Sequence, residues 1–151
     1  MLLGTYYGVL SPKRRTAVPA SFRKVLGKDI ILAKWYEGCL VLVGEASWNA
    51  LLKRLTGKSG TVTAPVRDTD RFILGSAFSL EADEQGRVVI PEVLAAYAGL
   101  GKDVVFIGLG DRAEIWNKEE WLKKEIEISK NASRLLEEVA NENKDNKGGA
   151  S

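Results

Sequence analysis

The chain has 151 residues, 45% of them hydrophobic, a net charge of +2, one cysteine and no histidine. That is enough for one core and too little for two independent ones, and the near-neutral total excludes a polycation. The lone Cys39 excludes an internal disulfide, and no apolar run approaches the roughly 18–20 residues of a membrane-spanning helix. Met1 to Gly4 lacks the charged-then-apolar layout of a secretory signal, so a cytoplasmic location is expected.

In chain order, Thr5 to Leu10 reads as a strand entering a turn at Ser11 to Arg14, where Pro12 presets the turn φ. Thr16 to Val18 leaves that turn as the second arm of a hairpin. Pro19 stands where a helix begins, at the first helical position, since its missing donor is harmless there. Phe22, Val25 and Leu26 form a short amphipathic stripe that Gly27 ends. Two apolar runs follow, and Cys39, inside the second, reads as a small core residue. Trp35, Tyr36 and Phe72 are candidate interface aromatics, with burial in the monomer favoured. Trp48, Leu51, Leu52 and Leu55 mark a helix ended near Gly57, Gly57 to Pro65 a loop, and Arg67 to Leu74 a further helix.

The chain then repeats itself. Leu10 to Pro19 returns as Ala82 to Pro91, Phe22 as Leu94, and the string Leu-Gly-Lys-Asp occurs at Leu26 to Asp29 and again at Leu100 to Asp103. The turn Asp83 to Gly86, the arm Val88 to Ile90, and the helix bearing Leu94, Tyr97 and Ala98 before Gly99 mirror the first copy. Two copies of one unit imply a pseudo-symmetric domain in which each half-core is completed by its twin. After Trp116, Asn117 to Glu120 resembles a capped helix start. Trp121, Ile126, Ile128, Leu135, Leu136 and Val139 give one last helix an apolar face, and Asn141 to Ser151 reads as a frayed tail.

Catalysis finds little support. Without histidine, triads and histidine zinc sites are excluded, and one cysteine cannot build a thiolate cage. No glycine-rich dinucleotide or nucleoside triphosphate loop occurs, and the pairs Glu81 with Asp83 and Glu119 with Glu120 are explained better by turns and caps than by acid–base work. No catalytic residue, metal, cofactor or small-molecule substrate is expected.

Binding is expected, from the placement of cations. Lys13, Arg14, Arg15, Arg23, Lys24 and Lys28 all precede the first acid, Asp29. Lys13, Arg14 and Arg15 occupy a hairpin tip, and Arg87, beside Gln85, occupies the matching place in the second copy. A two-stranded ribbon fits the DNA major groove, arginine's fork can bond phosphate or the guanine edge, and Gln85 can address adenine. The competing reading of Arg87 is an ion pair with Asp83 that only closes the turn.

These features resemble the MraZ family of bacterial transcriptional regulators. The resemblance rests on the duplicated turn followed by apolar residues and proline, on Leu-Gly-Lys-Asp, and on Gly108 to Trp116, and it covers nearly the whole chain. It implies a mainly β fold with short helices (α+β), a pseudo-two-fold swapped-hairpin β-barrel of two tandem AbrB-like repeats plus a C-terminal helix. The expected divisions are a first repeat at 1–56, a connecting loop and helix at 57–74, a second repeat at 75–121, and a helix with disordered tail at 122–151, all in one compact domain. It further implies a nucleoid-associated, ring-shaped homo-oligomer that represses from repeated double-stranded DNA sites upstream of the division and cell wall gene cluster, its own promoter included.

The family motif maps onto Asp83, Gln85 and Arg87, but in the first half only Lys13 and Arg15 match, because Ser11 replaces the usual aspartate and Arg14 the usual glycine. The exchange is expected either to raise affinity while lowering base selectivity, or to rebuild the turn. The alternatives are an antitoxin-like protein, disfavoured by the ordered C-terminal helix, and a ring-forming interaction module, which needs no matched cations.

Overall fold

The computed structural model describes residues 1–57 and 62–148. The strands are β1 (Leu2–Val9), β2 (Arg15–Ala17), β3 (Asp29–Lys34), β4 (Leu40–Gly44), β5 (Phe78–Glu81), β6 (Arg87–Val89), β7 (Asp103–Gly110) and β8 (Ala113–Asn117). The helices are α1 (Ala20–Leu26), α2 (Glu45–Thr56), α3 (Ala64–Ile73), α4 (Glu92–Tyr97), α5 (Lys118–Lys130) and α6 (Ala132–Gly148). The fold is α+β. The helices together hold more residues than the strands, because α5 and α6 are long, so it is not mainly β.

Six strands form one antiparallel sheet in the order β1-β7-β8-β4-β3-β5. Exchanging the two copies swaps β1 with β5, β3 with β7 and β4 with β8, and the order then reads identically from the other end. The duplication in the sequence is thus a duplication in space. The sheet is open at β1 and β5, so the expected barrel does not close. The remaining strands pair as the expected swapped hairpins, and not as the local turn signals by themselves suggest. β2 and β6 do not return along β1 and β5 as simple hairpin arms; they pair with each other, Arg15 opposite Val89, Thr16 opposite Val88 and Ala17 opposite Arg87. The physical reason is burial: Thr16, Val18, Val88 and Ile90 are buried only when the two arms cross over a shared core.

That core collects Leu2, Phe22, Leu26, Ile30, Leu42, Leu94, Phe106 and Ile115 among others, drawn from both copies. Leu40 to Val43 are all buried, as a central strand covered on both faces should be. Pro19 and Pro91 precede their helices by one position: each is the N-cap with an extended ψ (137° and 140°), and its carbonyl accepts the first helical N–H groups. Gly27 and Gly99 follow α1 and α4 with positive φ. Trp35 and Cys39 are buried, whereas Tyr36 and Phe72 are exposed, Phe72 packing edge-on to Tyr97 at 5.8 Å.

By internal contacts the chain falls into two compact units, Met1–Lys118 and Glu119–Ser151. In the second unit the expected single helix is two. Asn131 lies between α5 and α6, its side-chain amide donating to the Glu127 carbonyl at 2.9 Å, the local competition that makes asparagine a poor helix-interior residue. Leu122, Ile126, Ile128, Leu135, Leu136 and Val139 are exposed. The expected frayed tail is helical through residue 148, since adding turns to an established helix costs little. Residues 58–61 of the expected loop and 149–151 of the expected tail lie outside the described residues. No described helix is long and apolar enough to cross a membrane.

Candidate nucleic-acid interface

The two turns share one backbone design. In the first, Arg14 N–H donates to the Ser11 carbonyl at 2.8 Å and Ser11 N–H to the Arg15 carbonyl at 2.9 Å. In the second, Gly86 donates to Asp83 and Asp83 to Arg87, both at 2.9 Å. Each turn then bonds the other copy: Ile90 N–H donates to the Arg14 carbonyl at 2.8 Å and Val18 N–H to the Gly86 carbonyl at 3.0 Å. These reciprocal bonds extend the β2–β6 ladder at both ends.

Alternation along that ribbon sorts its side chains. Thr16 and Val88 point inward and are 2% exposed each. Arg15, Ala17, Arg87 and Val89 therefore share the outer face. Arg15 and Arg87 stand diagonally across the ladder, since Arg15 lies opposite Val89 and Arg87 opposite Ala17. An open cleft of about 560 Å³ is lined by Lys13, Arg15 and Arg87 together with Pro12, Thr16 and Ala17. The sequence suggested two separate hairpin tips; the crossing of the arms instead brings both arginines to one surface.

The turns differ in chemistry. Asp83 Oδ1 accepts the N–H groups of Gln85 and Arg87, both at 2.9 Å, and Oδ2 accepts Arg87 Nε at 2.9 Å. The backbone N–H of Arg87 and then its side chain hold the Asp83 carboxyl below the usual carboxylate range. The ion pair anticipated for Arg87 therefore forms. Ser11 reproduces only one of these three bonds, its Oγ accepting Arg15 N–H at 3.0 Å. Among the described residues no carboxylate pairs with the Arg15 guanidinium, which is exposed.

Arg14 resolves the question of a rebuilt turn. It adopts φ 61°, close to the 76° of Gly86, so the first turn keeps the backbone of the second, and Arg14 carries the left-handed conformation itself. Its Nε donates to the Ile90 carbonyl at 3.0 Å and the side chain is half-buried. Arg23 of α1, expected only as part of the basic segment before Asp29, reaches a turn. Its Nη1 donates to the Gln85 carbonyl at 3.1 Å, crossing from the first copy to the turn of the second. The signal was present in the duplication: the first copy has Arg14 and Arg23 where the second has Gly86 and Ala95. Each turn thus has one arginine over it, both supplied by the first copy, one from the turn itself and one from α1.

Lys13 and Gln85 are exposed at the two tips. From Ser11 to Arg15 there are three cations and no acid, whereas Asp83 to Arg87 holds two acids and one cation. Lys28 and Glu81 form an exposed ion pair at 2.8 Å beside the second turn, which neutralises a further cation of the basic segment. Cys39 takes no part: its thiol is buried, burial pushes its pKa up, and its Sγ–H donates to the Tyr36 carbonyl at 3.3 Å.

Fold and site together define a tandem, pseudo-symmetric α+β protein whose two crossed hairpins present a cationic ribbon. Comparison with known proteins places it more closely. Residues 73–143 match the family model described as "MraZ protein, putative antitoxin-like". Three relatives each carry the name "Transcriptional regulator MraZ". The protein of Syntrophomonas wolfei is 37% identical over 93% of this chain and 94% of its own length; that of Bifidobacterium longum is 39% identical over 92% and 95%; that of a Thermoanaerobacter species is 37% identical over 93% and 94%. The chain belongs to the MraZ family. The solution structure of PHS018 from Pyrococcus horikoshii is 16% identical with a TM-score of 0.33, covering 76% of this chain and 88% of that one, a likeness too distant to bear on the assignment.

Proposed function

We propose that the protein is a sequence-specific DNA-binding transcriptional regulator that uses the outer face of the β2–β6 ribbon, with Lys13, Arg14, Arg15, Asp83, Gln85 and Arg87 as its contact residues. The observation that carries this reading is the placement of Arg15 and Arg87 on the one outer face of the ribbon, diagonal to each other across the ladder. The names of the relatives support the regulator role. Family membership further suggests repression at repeated sites upstream of the division and cell wall gene cluster, its own promoter among them, and hence a nucleoid-associated protein.

A ribbon of two three-residue strands is small beside the roughly 1,000–2,500 Å² that specific protein–DNA interfaces bury. Several protomers on successive repeats would multiply weak grips, so a closed ring of copies belongs to the same reading. The exposed apolar residues of α5 and α6 give such assembly a surface to use.

The test is binding of the purified full chain to its own upstream DNA against scrambled DNA of equal length, over a salt series, with Arg15→Ala and Arg87→Ala alongside. Preferential binding that falls steeply with salt and weakens at least tenfold in each variant is expected. Equal, weak binding to both DNAs, unmoved by either substitution, would sink the regulator reading and leave an interaction module.

A further inference from the structure

We infer that the two turns divide the work of recognition: the second turn reads bases through Arg87, and the first, with Lys13, Arg14 and Arg15, is a sequence-tolerant grip on phosphate. This deepens the DNA-binding reading above and rests on it.

Arg87 is built for directional contact. Its Nε is held by Asp83 Oδ2 at 2.9 Å, and the same carboxylate fixes the backbone N–H groups of Gln85 and Arg87. With Nε engaged, Nη1 and Nη2 are the guanidinium groups left to bond a ligand. Together they bond the O6 and N7 acceptors of guanine in bidentate fashion, and a side chain already immobilised loses less rotamer entropy on doing so. The second turn is also a poor place for phosphate. Asp83 and Glu84 offset Arg87 and the Arg23 guanidinium that lies over this turn, so a backbone phosphate drawn close meets no net positive charge.

The first turn inverts both properties. Ser11 caps the backbone N–H of Arg15 as Asp83 caps that of Arg87, at 3.0 and 2.9 Å, but a hydroxyl has no second anionic oxygen to orient the guanidinium. Arg15 keeps the same backbone frame and loses its tether. Lys13 and Arg15 are exposed, and Arg14 adds a third charge whose Nε is engaged by the Ile90 carbonyl at 3.0 Å. Three cations without an acid, one of them free to swing, suit the diffuse charge of a phosphate backbone. Pseudo-symmetry sets the turns in equivalent frames, so the difference in role comes from residues 11, 14, 83 and 86.

The experiment exploits the fact that lysine keeps the charge of arginine and loses its fork. Full-length protein, Arg15→Lys, Arg87→Lys and Ser11→Asp are titrated against the upstream DNA, single-base variants of it and scrambled DNA, at several salt concentrations. Thermal melts confirm that each exposed-site variant is folded. Arg15→Lys is expected to weaken binding by about the same small factor, about threefold, on upstream, single-base-variant and scrambled DNA alike, so that base preference is unchanged. Arg87→Lys is expected to lose at least tenfold on the upstream DNA while binding scrambled DNA nearly as before, so that discrimination collapses. Ser11→Asp should weaken binding to both DNAs and flatten the salt dependence. Equal loss of discrimination in the two lysine variants, or loss in Arg15→Lys alone, would overturn the division of labour while leaving the regulator reading intact. A parent protein with no preference for the upstream DNA would overturn both.

Discussion

Gly86→Ala, combined with Arg23→Ala, tests whether the arginine over each turn is structurally coupled to the turn beneath it. Gly86 sits at φ 76°, and a Cβ there would run into the guanidinium and Cδ of Arg23. The left-handed backbone costs an alanine about 1–2 kcal/mol. Of this, about 0.4–1 kcal/mol is offset because alanine also restricts the unfolded chain. Displacing Arg23 gives up its bond to the Gln85 carbonyl, worth about 0.5–1.5 kcal/mol in general and toward the lower end for a solvated 3.1 Å contact. Gly86→Ala should therefore destabilise by about 1–2 kcal/mol in the parent, and by about 0.5–1 kcal/mol less once Arg23→Ala has cleared the space. The assay is urea and thermal unfolding of the four proteins of the cycle, with a melting shift of about 3–6 °C per kcal/mol for a unit of this size. Additivity within about 0.3 kcal/mol would refute the reasoning, because it would mean that Arg23 does not sense the turn.

Three further outcomes follow from other parts of the molecule. At Gly108 a Cβ would lie 2.5 Å from the Leu3 nitrogen and 2.6 Å from the Leu2 carbonyl carbon, backbone that cannot step aside without parting β1 from β7; Gly108→Ala should cost about 3 kcal/mol or more in urea unfolding, and a cost below about 1 kcal/mol would contradict that packing. The Asp83 carboxyl is held below its ordinary range by the N–H and side chain of Arg87, so its contribution to stability is present above the unfolded carboxylate pKa and lost as pH falls through the depressed one; a stability–pH curve for Asp83→Asn should lose that acid-side decline. Glu114 is pushed the other way, mainly by burial, though Trp116 Nε1–H donates to its Oε1 at 2.8 Å. The advantage of that raised pKa is complete below the unfolded carboxylate pKa and is lost as pH rises through the folded one, so Glu114→Gln should be stabilised relative to the parent at neutral pH and not at pH 4.

The elements themselves were legible because duplication supplied two independent looks at each. Strand, turn, arm, helix and two further strands recur in both copies, and all appear, with Thr5 to Leu10 lying inside β1 apart from its last residue and Arg67 to Leu74 inside or beside α3. The pairing of strands was less legible. Short-range turn signals at Ser11 to Arg14 argue for a local hairpin, yet burying Thr16 and Val18 against the other copy's Val88 and Ile90 is a long-range gain that no local pattern encodes. The C-terminal helices were misjudged for a related reason. An apolar stripe from Trp121 to Val139 announces something to be covered, whereas Leu122, Ile126 and Leu136 are exposed in the chain by itself. Of the candidate site, the residue types were readable and their convergence on one ribbon face was not.

The backbone at Arg14 joins these threads. The carbonyls of residues 14 and 86 must turn toward the opposite copy to accept from Ile90 and Val18, and in each turn the residue doing so lies at positive φ. Glycine meets that demand without strain, as Gly86 does. An arginine in the same conformation costs about 1–2 kcal/mol and persists only where its surroundings determine it. Here the surroundings are the cross-copy ladder and the Ile90 carbonyl, which accepts Arg14 Nε while the Ile90 N–H bonds the Arg14 backbone. Glycine would have sufficed for the fold, as the second copy demonstrates. The second turn, however, takes its guanidinium from Arg23, whereas Arg14 combines the left-handed backbone and the guanidinium in one residue, in the turn that lacks an acid.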